Sequence, residues 1–246
     1  MTDLIADIGA TNARFALLPG QPGMGSGIPE SIRVFSVQAF HSMGETMSAY
    51  LDAVGMSVDG LRRAAICIAG PVAGDEIAMT NHPWRFGQRA MQEAFGLDQL
   101  TVINDFTAIA LGLSRLKAGD RRQIGGKTPP LAPKLVLGPG TGLGVSGLLP
   151  LHQAGGQVQW HPLSGEGGHV TLAAENDREH AIIKAAHNDS HHVSGEDFLC
   201  GSGLVRLYNA VAAVDGMPVK KQSGSQASPP TPAQVTEGFL RDSDPI

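Results

Sequence analysis

The sequence predicts an α/β protein built in two lobes, and three observations carry that reading. A short apolar run over residues 4–8 enters the turn Gly9-Ala10-Thr11 and is followed by a second run over 12–18. The same order of strand, glycine turn and strand restarts at 134–137, 138–144 and 145–149. Between them, apolar runs of strand length alternate with segments whose apolar residues recur at helical spacing. A chain of 246 residues is long enough for both lobes, placed at 1–105 and 106–246.

In order along the chain, 4–8 is a strand and 12–18 its hairpin partner, with Ala13, Phe15 and Leu17 on one face. Residues 20–27 form a glycine-rich loop, and 32–37 a third strand. A helix covers 45–54, with Met47, Tyr50, Leu51 and Val54 on one face. Residues 63–69 read as a buried strand stopped by Gly70-Pro71, and 87–95 as a helix closed by Gly96. A strand at 100–103 delivers Asn104 and Asp105, and a helix over 106–116 presents Ile109, Leu113 and Leu116. In the second lobe, further strands are expected at 160–163 and 169–172 and a helix at 174–187. Another helix, capped by Ser202, carries Leu204, Leu207, Val211 and Val214. Residues 222–230 are polar and rich in Ser, Gly and Pro. Thr231-Pro232-Ala233-Gln234 is a capping box with proline at the first helical position.

Composition excludes several classes. The net charge of −5 favours neither nucleic acid nor an anionic membrane surface. Two cysteines, Cys67 and Cys200, make no disulfide framework and fit a reducing compartment. The N-terminus has no basic segment followed by a long apolar one, and no apolar run approaches ~20 residues. A cytoplasmic protein is expected.

Several motifs fail their context. Gly126-Lys127-Thr128 resembles the end of a phosphate loop, but its first glycine would fall on Arg121. Residues 142–147 match a dinucleotide-binding spacing, yet they run into Leu148-Leu149-Pro150 instead of a helix. His187, His191 and His192 cluster without a cysteine or paired carboxylate, which favours a solvated loop over a metal site.

Other segments carry chemistry. The turn Asp7-Ile8-Gly9-Ala10-Thr11-Asn12 is rich in donors. Its alternative is an ordinary hairpin with Gly9 at positive φ. Its backbone N–H groups and the Thr11 hydroxyl can hold phosphate oxygens, and Asp7 can hold Mg2+ through water. The turn Gly138-Pro139-Gly140-Thr141-Gly142 is either a flexible bulge or a second cradle, and two such turns can grip one polyphosphate. Asn104-Asp105 either caps the following helix or offers a hydroxyl partner and a general base. Glu166 and His169 sit in a glycine-rich loop that packing does not explain and that is either a polar surface turn or a binding loop, and Glu196 either caps a helix or binds. Together these residues point to phosphoryl transfer onto a polyol.

The segments D-x-G-x-T-N at 7–12, A-M-T-N-H at 78–82, I-N-D-F at 103–106, G-x-G-T-G-L-G at 138–144, G-E-G-G-H at 165–169 and S-x-E at 194–196 closely resemble bacterial glucokinases. Their order matches, and the resemblance runs from residue 3 to about 240. The cysteine-rich zinc motif of the related repressor and kinase group is absent.

The resemblance implies an actin-like ATPase (ribonuclease H-like) fold, with glucose deep in a cleft and ATP across the lobes. It implies ATP-dependent phosphorylation of glucose to glucose 6-phosphate. Asp105 is then the base for the 6-hydroxyl; Asn104 and Asp105 hold neighbouring hydroxyls; Glu166, His169 and Glu196 hold the anomeric side. Ala6, Asp7, Ile8, Gly9, Ala10, Thr11 and Asn12, with Gly138, Gly140, Thr141 and Gly142, make the ATP set, and Asp7 lies near Mg2+. Ala10 stands where the family usually has a second glycine.

Glucokinases of this type continue beyond the position matching Ile246. The resemblance therefore implies a second lobe incomplete at its C-terminus, with a half-built nucleotide site. An exposed sheet edge there leads to the expectation of low stability and homodimerisation. A weakly active or inactive sugar-binding remnant is the alternative. A general actin-like ATPase without a sugar is disfavoured by Glu166, His169 and Glu196.

Overall fold

The computed structural model describes residues 2–19, 28–79, 82–127, 131–187, 192–217 and 230–241, with side chains to residue 237. The expected loop at 20–27, most of that at 222–230, and Thr80, Asn81, Thr128 and His191 lie outside the described residues. The chain divides into two compact units, Met1–Arg115 and Leu116–Ile246.

The first unit is a five-stranded sheet with helices. Its strands are β1 (Thr2–Ile8), β2 (Asn12–Pro19) and β3 (Glu30–Ser36). Helix α1 (Met43–Val54) leads to β4 (Leu61–Ile68), and a small hairpin of β5 (Glu76–Ala78) and β6 (Arg85–Gly87) precedes α2 (Gln88–Ala94). The unit ends with β7 (Gln99–Asn104) and α3 (Asp105–Gly112). Sheet order is β3-β2-β1-β4-β7, antiparallel across β1–β3 and parallel across β1, β4 and β7.

The period of two decides what each β1 residue does. Leu4, Ala6 and Ile8 are buried, and Asp7 between them is exposed. The buried face meets Met43, Met47, Tyr50 and Leu51 of α1 within one continuous core. Phe15 and Tyr50 stack at 5.1 Å, and the Trp84 indole N–H reaches the Phe40 carbonyl at 3.1 Å, which satisfies a fully buried ring. Ser42 caps α1 by accepting the Glu45 amide at 3.1 Å, while Gly55, at φ 67°, closes it.

Parallel pairing fixes the site. Ile8 lies beside Ile68, and Ile68 beside Asn104, so three strands end at one level. Open parallel sheets bind ligands outside those carboxyl ends.

The second unit holds an antiparallel sheet of β8 (Lys134–Pro139), β9 (Leu143–His152) and β10 (Val158–Gly165), in order β10-β9-β8. Helices α4 (Asp177–Ala186) and α5 (Gly201–Val214) pack on each other around Ile182, Val193, Phe198 and Ala210, and α6 (Pro232–Arg241) follows. At the start of α6, the Thr231 amide donates to Gln234 Oε1 and the Gln234 amide to Thr231 Oγ1, the reciprocal box the sequence predicts.

Three expectations need correction. Residues 169–172 are no strand: a 3₁₀ turn covers Gly167–His169, and only Thr171 bridges, to Ser194. Glycines at 167 and 168 let the chain curl too tightly for a ladder. Helix α5 is capped by Cys200, whose Sγ accepts the Gly203 amide at 3.3 Å, and Ser202 lies inside the helix. Helix α3 stops at Gly112, short of 116, and leaves Ile109 and Leu116 exposed.

Candidate functional site

In the first unit, Asp7, Asn104 and Asp105 meet at the ends of the parallel strands. Asn104 caps α3: its Oδ1 accepts the Thr107 amide at 3.1 Å. Its Nδ2 donates to the Gly70 carbonyl at 3.1 Å and to Asp105 Oδ1 at 2.9 Å. Asp105, the first residue of the helix, takes its own backbone amide bond from Phe106 on the same Oδ1 at 2.8 Å. Asn104 thus does the capping and leaves Asp105 Oδ2 turned away from these bonds. The half-buried Asp105 carboxyl is pushed above the usual carboxylate range, chiefly by burial and further by the Asp7 charge. Hydrogen bonds from the backbone and Asn104 oppose that shift without cancelling it.

Asp7 has a different environment. Arg14 lies directly across the β1–β2 ladder and donates to Asp7 Oδ2 at 3.0 Å. Cys67, directly across the β1–β4 ladder, donates its thiol to Asp7 Oδ1 at 3.7 Å. Burial, Asp7 and Asp105 push this thiol up to about 12, so it stays protonated. Asp7 could offer a cation one carboxylate. No cluster of three His, Cys, Asp or Glu ligands exists among the described residues. That donor set fits Mg2+, which keeps several waters and takes further ligands from substrate phosphates.

The first turn is closed by the Gly9 amide on the Asn12 carbonyl at 2.9 Å, and the Val37 amide holds the Thr11 carbonyl at 3.0 Å. The turn does join the β1–β2 hairpin, but Gly9 does not take the positive φ expected of it. Ala10 is not left-handed either, which is why a Cβ is tolerated where the family usually has glycine. Ala6 and Ile8 are buried in the strand, while Thr11 and Asn12 are exposed.

In the second unit, the turn from Gly138 to Gly142, Glu166, His169 and Glu196 come together. His169 stands between the two glutamates, with Nε2 3.8 Å from Glu166 Oε2 and Nδ1 4.0 Å from Glu196 Oε1. Glu196 is no helix cap: its Oε2 accepts the Leu143 amide at 2.8 Å, at the foot of the glycine turn. The Gly140 amide reaches the Gly142 carbonyl at 2.8 Å, and the first amide of α5, that of Gly201, holds the Gly140 carbonyl at 2.9 Å. Thr141 stays exposed at the tip.

Glycine is required here by close approach. A Cβ on Gly142 would run into the Glu196 carboxylate, and one on Gly168 into the Leu143 carbonyl. A Cβ on Gly167 would stand 2.8 Å from Val145 Cγ1. Gly168 is thus pressed on the backbone of Leu143, while Gly142 and Gly167 make room for the side chains of Glu196 and Val145.

Sequence reasoning missed Arg14, Cys67 and the tie from Gly201 to Gly140. The signal for the first two is register: once 4–8 and 12–18 are paired as a hairpin, Asp7 falls opposite Arg14.

This is the actin-like ATPase fold. A family model described as glucokinase matches residues 4–246. A glucokinase of Neisseria gonorrhoeae is 40% identical over 244 residues, 99% of this chain and 68% of that protein. One of Saccharophagus degradans is 39% identical over 244 residues, 99% of this chain and 71% of that protein. The crystal structure of a glucokinase from an Antarctic psychrotroph superposes with a TM-score of 0.75 at 32% identity, over 96% of this chain and 69% of that one. The chain belongs to the glucokinase family. Among the described residues, no helix is long and apolar enough to cross a membrane.

Proposed function

We propose that this chain transfers the γ-phosphoryl group of ATP to the 6-hydroxyl of glucose, giving glucose 6-phosphate and ADP. Family membership supports the reaction, and the environment of Asp105 is the single observation that carries its chemistry. A carboxylate with a raised proton affinity, held by two hydrogen bonds on one oxygen, suits a general base.

Asp105 accepts the hydroxyl proton on Oδ2 as the sugar oxygen attacks phosphorus and the bond to the β-phosphate oxygen breaks. Asn104 fixes the base through its two Nδ2 bonds and, with Asp105, holds neighbouring hydroxyls. Glu166, His169 and Glu196 hold the anomeric side of the ring; two acceptors flanking an imidazole match a run of adjacent hydroxyls. Phosphoryl transfer is mostly positioning and charge neutralisation. The phosphates lie on the turn at Gly9, Ala10, Thr11 and Asn12, since Ala6 and Ile8 are buried and paired within β1, and on Gly138, Gly140, Thr141 and Gly142. Mg2+, held through water by Asp7, would offset phosphate charge. The motif residues are all in the chain, which favours a kinase over a sugar-binding remnant. The cytoplasm, where ATP and glucose meet, is the proposed compartment.

The test couples product to glucose 6-phosphate dehydrogenase and NADP+. NADPH formation that needs both ATP and glucose is expected. ATP hydrolysis without glucose 6-phosphate would overturn the reading.

A further inference from the structure

Glu196 faces two ways. Oε2 accepts the Leu143 amide at 2.8 Å, at the base of the second glycine turn, while Oε1 points toward His169 Nδ1 at 4.0 Å. Its backbone is fixed too, because the Glu196 amide donates to the Gly168 carbonyl at 2.8 Å. That carbonyl belongs to the loop carrying Glu166 and His169. The same loop is pressed so closely on Leu143 that residue 168 has no room for a side chain. Gly142 lacks that room as well, and the atom in the way there is Glu196 Oε2 itself. On its far side the turn is held by α5, through the Gly201 amide on the Gly140 carbonyl. The turn therefore has one fixed wall and one wall made by a side chain that also faces the sugar residues.

We propose that Glu196 is a positioning residue that couples sugar binding to nucleotide binding within the second unit. This rests on the kinase reading above. A hydroxyl on Oε1 further restrains a carboxylate whose Oε2 already holds the Leu143 amide, and so steadies the turn that receives phosphate. Ordering the turn once serves both ligands, so each tightens the other by the same factor.

The experiment measures the dissociation constant of a non-hydrolysable ATP analogue by calorimetry, without glucose and with glucose saturating each variant. Wild type is expected to bind the analogue roughly five-fold or more tightly with glucose present, the lower end of typical couplings. In Glu196→Ala the ratio falls to about one. Glu196→Gln keeps an acceptor for the Leu143 amide and retains part of the ratio. His169→Ala binds glucose more weakly but keeps the ratio, because the strut to the turn is intact. Equal ratios in wild type and Glu196→Ala, or a wild type with no coupling, would overturn the proposal.

Amide exchange at Leu143 tests the strut without sugar or turnover. It should be slow in wild type and Glu196→Gln, and faster in Glu196→Ala and Gly142→Ala. Unchanged exchange in Glu196→Ala would remove the strut. A wild type that makes no glucose 6-phosphate would instead strike the kinase reading and leave the exchange result standing.

Discussion

Replacing Asp105 with Asn separates proton transfer from architecture. Asn keeps Oδ1, so the bonds from Asn104 Nδ2 at 2.9 Å and the Phe106 amide at 2.8 Å both survive. Each passes from a charged to a neutral acceptor, which weakens it by about 1 kcal/mol, or roughly 2 kcal/mol for the pair. Against this stands the removal of a half-buried charge repelled by Asp7. The carboxyl is pushed above its ordinary range, so burial and repulsion outweigh the hydrogen bonds in wild type. A carboxyl raised in the folded state is at its most favourable when protonated; that advantage is lost as pH rises through the raised value. Asp105→Asn should therefore be at least as stable as wild type at neutral pH, and the difference should vanish in acid, where both side chains are neutral. Turnover should fall by roughly 10²–10⁴, the share of a general base, with glucose affinity held within a few-fold. Wild-type kcat should itself drop as pH falls through the raised Asp105 value. The assays are the coupled enzyme assay, glucose calorimetry and thermal melts from acid to neutral pH. Near-normal turnover, or a clearly lower neutral melting temperature, would refute the reasoning.

The Arg63 guanidinium holds the Asp3 carboxyl below its ordinary range, so Asp3 stabilises the fold above that range and stops as pH falls through the lowered value. Asp3→Asn should melt lower than wild type at neutral pH, with the gap closing in acid. Gly168→Ala forces a Cβ against the Leu143 carbonyl and should cost about 1–3 kcal/mol in chemical denaturation while abolishing glucose phosphorylation. Ser42→Ala removes the N-cap of α1 and should cost about 1 kcal/mol with kinetics unchanged.

The first unit was the more legible in the sequence. Its strands alternate cleanly or are bounded by glycine and proline, and β1, β2, β4 and β7 lie where periodicity puts them. Legibility fails where backbone packing replaces side-chain pattern. Residues 169–172 have strand-like composition, yet the glycines before them curl the chain against β9. Cys200 caps α5 although sulfur is a weak acceptor; the better capping residue, Ser202, lies two positions too late. The candidate site was legible as residues but not as contacts. Nothing in the spacing of Glu196 announces that it binds the amide of Leu143, 53 positions away.

The two carboxylates of the first unit show why residue type alone cannot assign roles. Asp7, near the end of β1, and Asp105, just after β7, lie at the carboxyl ends of parallel strands in one mixed sheet, and both could serve as base. Asp7 is not free to do so: Arg14 occupies one oxygen and Cys67 the other. Both oxygens thus carry a partner, and Asp7 is left to meet a cation through water. Among the described residues Asp105 pairs with no cation, is half-buried, and feels the Asp7 charge. Its Asn104 and Phe106 bonds both fall on Oδ1, leaving Oδ2 for a proton. The Cys67 thiol stays protonated between them, since either neighbouring charge would oppose a thiolate. It therefore separates the two carboxylates without adding a third charge. Environments that differ in this way tie one carboxylate to its ladder partners and leave the other to accept a proton. The difference comes from ladder partners, Arg14 and Cys67, that no motif includes.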